Sequence, residues 1–135
     1  MGPVQFYQQN NYMGKLTINE EDIVISNKTD LIEVLNSLEE KEKSEIWIEK
    51  DDRECLTILI NKSRLFSMYL KDYEDGESIT CFDETTSKES FENFYLSNGQ
   101  LDEYPRCKTV DRKFLSDIFL TFYEKGVLTN QIKWI

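Results

Sequence analysis

Three apolar runs follow one another between residues 45 and 70, parted only by short polar breaks. In EIWIEK, Ile46 and Ile48 fall on one side of an extended chain and Trp47 on the other. After DDR, the run ECLTILI repeats the alternation with Leu56, Ile58 and Ile60. After NKS, RLFSMYL repeats it with Phe66, Met68 and Leu70. A side-chain period of two is that of a β-strand. Breaks this short join antiparallel neighbours, whereas parallel neighbours need a long crossover. The spacing therefore predicts an antiparallel meander at the centre of the fold.

Helical periodicity flanks the meander on both sides. NKTDLIEVLNSLEE carries Leu31, Val34, Leu35 and Leu38 on one stripe, with Asn27 as its N-cap and Asp30 in the first turn. VDRKFLSDIFLTFYEKG carries Phe114, Leu115, Ile118, Phe119 and Phe122. Asp111 is placed to cap it and Gly126 to end it in the left-handed region. KLTINEEDIVIS reads as one or two short strands, ITCFD as another, and NQIKWI as a short edge strand. FENFYLS and QLDEYP flank Asn98-Gly99, a hairpin signal in which both residues accept positive φ. Six or seven strands with a helix near each end predict an α+β fold: an antiparallel β-sheet meander with an early helix and a C-terminal helix packed on one face. A chain of 135 residues is expected to be one domain over 1–135, with residues 1–14 a candidate loosely ordered N-terminal segment.

Histidine is absent, which removes Ser-His-Asp and Cys-His catalysis and His-ligated zinc. Cys55, Cys81 and Cys107 form no CxxC pair. Cys55 and Cys81 sit in apolar strand-like runs, as small buried hydrophobes do. There is no glycine-rich phosphate loop and no acidic cation-loop spacing. No catalytic residue, metal ligand or cofactor is expected. No secretory leader or membrane span is legible, so the expectation is a cytoplasmic protein that binds no membrane.

The net charge is −10, from 26 acids and 16 bases. Such a chain repels nucleic-acid phosphates and attracts basic proteins. Asp72, Glu74, Asp75, Glu77, Asp83 and Glu84 fall between residues 72 and 84 with no base among them. With Tyr73 and Phe82 beside them, they are expected to form an acidic face for a basic protein partner. In SNGQLDEYP, Asp102 and Glu103 are sequence neighbours, so on a strand they point to opposite faces. They are a poor pair for hydrolysis of the glycosidase type. One of them is expected to turn inward to a hydrogen-bond partner and fix the scaffold. The competing readings are a small acidic hydrolase with paired carboxylates and a generic adaptor.

Several stretches together carry a family resemblance. They are the early capped helix, Glu54 to Ile58 followed by RLFSMYL, SNGQLDEYP over Ser97 to Pro105, and a C-terminal helix ending near Ile132 to Trp134. From about Asp22 onward the chain resembles the first, Imm-one-type, family of bacterial polymorphic-toxin immunity proteins. The most distinctive positions are Gly99, Asp102, Glu103, Tyr104 and Pro105 together with Trp134, with Asn98 beside Gly99 completing the structural motif. The resemblance implies a non-enzymatic protein that binds a cognate secreted toxin, a nuclease, deaminase or similar effector, and occludes its active site.

Overall fold

The computed structural model describes residues 15–50, 53–72 and 76–135. The expectations for residues 1–14, for Asp51 and Asp52 of the DDR turn, and for Tyr73, Glu74 and Asp75 lie outside the described residues. The meander is present as β3 (Ser44–Glu49), β4 (Cys55–Ile60) and β5 (Arg64–Asp72), all antiparallel. β1 (Lys15–Ile18) and β2 (Glu21–Ile23) extend the sheet beyond β3. β6 (Glu77–Phe82) and the tail strand β10 (Lys133–Trp134) extend it beyond β5. A short β9 (Val110–Asp111) pairs with the start of β5. A separate two-stranded ribbon, β7 (Phe91–Tyr95) with β8 (Leu101–Pro105), stands off this sheet. Ten strands are thus formed among the described residues, more than the periodicity suggested. Only β9, two residues long and too short to show a pattern, falls in a stretch that was not read as a strand.

Helix α1 (Lys28–Glu39) and helix α2 (Leu115–Lys125) both pack on one face of the sheet. Ile46, Ile48, Leu56, Ile58 and Ile60 meet Leu31, Leu35 and Leu38 from α1 and Leu115, Ile118, Phe119 and Phe122 from α2 in one buried cluster. Every residue of β4 is buried, because the β7–β8 ribbon covers part of its other face. That two-sided burial explains why CLTILI reads as a nearly unbroken apolar run. Cys55, Cys81 and Cys107 are all buried, and burial pushes the Cys81 thiol up to about 12.

The helix ends are set locally. Asn27 Oδ1 accepts from Asp30 N–H at 2.9 Å, and Asp30 Oδ2 accepts from Ser26 N–H at 3.0 Å. α2 begins later than the sequence suggested: Asp111 caps a 3-10 turn over Arg112–Phe114, accepting from Lys113 N–H at 2.8 Å, and the α-helix follows from Leu115. Arg112 in that turn donates to Asn61 O at 2.8 Å and to the α1 carbonyls of Leu38 at 2.8 Å and Glu39 at 3.1 Å. It puts a cation at the α1 C-terminus, whose last turn has no basic residue of its own. Gly126 ends α2 at φ +71, and a Cβ there would stand 3.0 Å from Lys50 Cε. Beyond it, the tail is fixed by Trp134 Nε1–H donating to Thr129 O at 2.9 Å and by paired backbone bonds between Thr80 and Ile135.

Candidate protein-binding site on the β7–β8 ribbon

The SNGQLDEYP motif forms the turn and second strand of the ribbon. Leu96 N–H donates to Gln100 O at 2.8 Å and Gly99 N–H to Leu96 O at 2.9 Å, which closes a three-residue loop over Ser97, Asn98 and Gly99. Gly99 alone of these has positive φ, at +90, so the expectation of positive φ at Asn98 as well is corrected. A three-residue loop needs one left-handed position, where a two-residue type I′ turn needs two. Asn98 instead accepts from Gln100 N–H at 2.8 Å.

Three sets of contacts hold the ribbon to the sheet. At its tip, Glu45 of β3 accepts from Ser97 N–H at 3.0 Å, from the Ser97 hydroxyl at 2.8 Å and from Trp47 Nε1–H at 2.8 Å. At its middle, Asn61 Nδ2 donates to Glu92 Oε1 at 3.0 Å and to Asn93 O at 3.1 Å. Beneath it, Phe94 is fully buried with Leu59 and Phe66, and the Tyr104 ring stacks on Phe66 at 3.7 Å between centroids. Its base continues into the chain joined to β6 by Asp83 N–H donating to Cys107 O at 2.8 Å.

Asp102 is the partnered acid of the motif and Glu103 the exposed one. Asp102 accepts from the Tyr104 hydroxyl at 3.1 Å and from Gln100 Nε2 at 2.9 Å. Burial, then the Asp102 charge and that hydrogen bond, push the Tyr104 phenol up to about 12. Pro105 ends β8, and Trp134 lies in the tail strand at the far edge of the main sheet, away from the ribbon. The motif positions are therefore split between two places.

Glu45 makes the ribbon sensitive to acid. Burial pushes its carboxyl up, but the Ser97 N–H, the Trp47 N–H and the Ser97 hydroxyl together outweigh burial, so its pKa lies below the ordinary glutamate value. A depressed carboxyl stabilises the fold fully above its unfolded-state value, about 4.3, and that contribution is lost as pH falls through the lower folded-state value. Glu45→Gln is expected to lower stability by about 1 kcal/mol at pH 7, with the gap to the parent closing below about pH 4. Urea melts from pH 3 to 7 check this. A gap that stays constant across the range contradicts the anchoring role of the charge.

The described acids of this run, Asp72, Glu77, Asp83 and Glu84, do not form one continuous face. Glu77 begins β6 and Asp83 follows its end, roughly 20 Å away at strand rise. Asp72 pairs with Arg53 at 2.6 Å, and exposed Glu84 pairs with Lys133 at 3.4 Å. Asp83 is held by Arg64 at 3.0 Å and by the Thr85 hydroxyl at 2.6 Å. Burial pushes the Asp83 carboxyl up, but the bonds from Thr85 and Arg64 and the Arg64 charge hold it below the usual aspartate range. Phe82 is half-buried, with Lys133 Nζ 5.8 Å from its ring centroid. The cleft of about 500 Å³ beside these residues is lined by bases as well as acids: Arg64, Lys113 and Lys133 with Asp83, Glu84 and Asp111. Adjacency in sequence suggested a single patch, but β6 puts Glu77 at one end of a strand and Asp83 with Glu84 beyond the other.

Sequence reasoning passed over the outward side of the ribbon. Phe91, Tyr95 and Leu101 are each about half exposed, on the face opposite Phe94. The signal was present in FENFY: period two puts Phe91 and Tyr95 opposite Phe94, so burying one set turns the other outward.

No family model matches the chain, and no curated protein matches it. Among the described residues no helix is long and apolar enough to cross a membrane, and no three His, Cys, Asp or Glu residues are grouped to hold a metal ion.

Proposed function

We propose that this chain is an immunity protein of the polymorphic-toxin type, a non-enzymatic cytoplasmic inhibitor that binds a basic toxin domain and covers its active site. The observation that carries the reading is a firmly anchored, acid-bearing ribbon with large apolar side chains turned to solvent, in a chain of net charge −10. The resemblance of SNGQLDEYP and its neighbouring elements to the Imm-one-type family supports the same reading. An effector that works on nucleic acid, such as a nuclease or deaminase, needs a cationic cleft, and an anionic protein is drawn to it over distances near the Debye length. Charge of this kind speeds association, while buried apolar anchors set how long the complex lasts. The exposed acids, Glu77 and Glu84 among them, serve the first of these purposes.

The test is co-production with the toxin domain encoded by the adjacent gene. Growth arrested by the toxin domain alone is expected to be restored when this chain is made with it. Persistent arrest with folded chain accumulating in the same cells would reject the reading.

A further inference from the structure

The two faces of the β7–β8 ribbon have opposite fates. Opposed residues share a face, so Glu92, Phe94, Asp102 and Tyr104 point toward the sheet, while Phe91, Asn93, Tyr95, Leu101, Glu103 and Pro105 point away from it. Tyr95 stands opposite Leu101 at the tip end, and Phe91 opposite Pro105 at the base. The exposures of Phe91, Tyr95 and Leu101 are 54%, 51% and 47%. Two apolar pairs roughly 13 Å apart therefore flank a polar centre of Asn93 and Glu103. Large apolar groups on a water-facing ribbon are of no use to the core, which lies on its other side. Apolar anchors around a polar centre are the composition of a protein-binding surface.

The charge around these anchors selects the occupant. Glu103 is the one charged side chain among the ribbon's outward residues, since Glu92 and Asp102 point toward the sheet and Glu92 pairs with Arg106 at 3.7 Å. Lys43, from outside the ribbon, has its Nζ 5.8 Å from the Tyr95 ring centroid. A second copy would bring like charge to like charge, and each copy already carries −10. A cationic protein surface meets the same face with attraction. The ribbon is also preorganised, because Glu45 and Asn61 and the Phe66–Tyr104 stack fix it before any partner arrives. Little ordering entropy is then left to lose on binding.

We propose that the outward face of the β7–β8 ribbon is the surface by which the chain grips its basic toxin domain: Tyr95 with Leu101, and Phe91 with Pro105, enter apolar hollows, and Glu103 between them pairs with a lysine or arginine of the partner. This rests on the toxin-binding reading and names the contact within it. It places the grip on the ribbon and leaves the acids at the Glu77 end of β6 outside it.

The experiment measures the affinity of the full chain for the toxin domain encoded beside it, by surface binding kinetics at two salt concentrations. Tyr95→Ala and Leu101→Ala are each expected to weaken binding by about tenfold or more, chiefly through faster dissociation. Glu103→Lys is expected to weaken it by a similar factor with slower association. Glu77→Lys, at the far end of β6, is expected to stay within about threefold at the higher salt. Tyr95→Phe keeps the ring and is expected to bind as the parent does. These side chains are exposed, and a thermal melt of each variant confirms folding. Parent binding with all ribbon variants inside threefold would overturn the surface and leave the toxin-binding reading standing. Failure of the parent to bind overturns both. A parent that sediments as a dimer, with dimerisation lost in Tyr95→Ala and toxin affinity unchanged, overturns the proposal in favour of a second copy.

Discussion

Replacing Phe119 by Ala is expected to lower the free energy of unfolding by about 3–5 kcal/mol. Phe119 has no exposed surface and sits where α2 meets the sheet, beside Ile118 and Phe122 and stacked with Tyr123 at 5.9 Å. Truncation removes its transfer free energy and leaves a cavity that a helix fixed at both ends closes poorly. The 3-10 turn at Arg112 and the left-handed Gly126 fix those ends. Since stability for a domain of this size is about 5–15 kcal/mol, the variant should be near its unfolding threshold at growth temperature. Urea unfolding at pH 7 measures the effect. A loss below about 1 kcal/mol would mean that this face of α2 does not pack on the sheet.

Arg64→Met is expected to cost a similar amount, about 3–5 kcal/mol, for a different reason. The Arg64 side chain is almost wholly buried at the start of β5, where β9, the Cys107 turn and the Asp83 loop converge. Its Nε–H donates to the Thr109 hydroxyl at 3.0 Å. One terminal nitrogen donates to Thr109 O at 2.7 Å and to Asp83 at 3.0 Å. Methionine fills much of the volume but takes the Arg64 donors from Oδ2 of Asp83 and from the Thr109 carbonyl, leaving Asp83 only its Thr85 bonds at Oδ1. The pH dependence separates this from a packing effect. Asp83 is held below its unfolded-state value, about 3.9, so its share of the stability is present above that value and fades as pH falls through the folded-state value. The deficit of Arg64→Met should therefore shrink in acid, and a deficit equally large at pH 3 and pH 7 would point to packing alone.

What could be read in advance differs between scaffold and site, and the difference is physical. The meander was legible because each strand buries one face, which writes period two into EIWIEK and RLFSMYL. Asn27 and Gly126 were legible because capping is local chemistry. Arg64 was not, since a buried arginine looks like any surface base until Thr109 and Asp83, distant in the chain, are brought to it. Glu45 was hidden in the same way, as its partner Ser97 lies 52 residues on. The separation of Glu77 from Asp83 was not legible in the acidic run, because proximity in sequence is not proximity in space once a strand intervenes. The outward aromatics of the ribbon were legible in principle, but only after Phe94 was known to be the inward one.

The most direct measurement is an inhibition titration. The toxin domain encoded next to this chain would be purified and its activity on single- and double-stranded nucleic acid followed as the chain is added. A toxin-covering immunity protein predicts a linear fall to zero activity at one chain per toxin domain, with added salt slowing the onset of inhibition. Full activity in the presence of excess folded chain would contradict it.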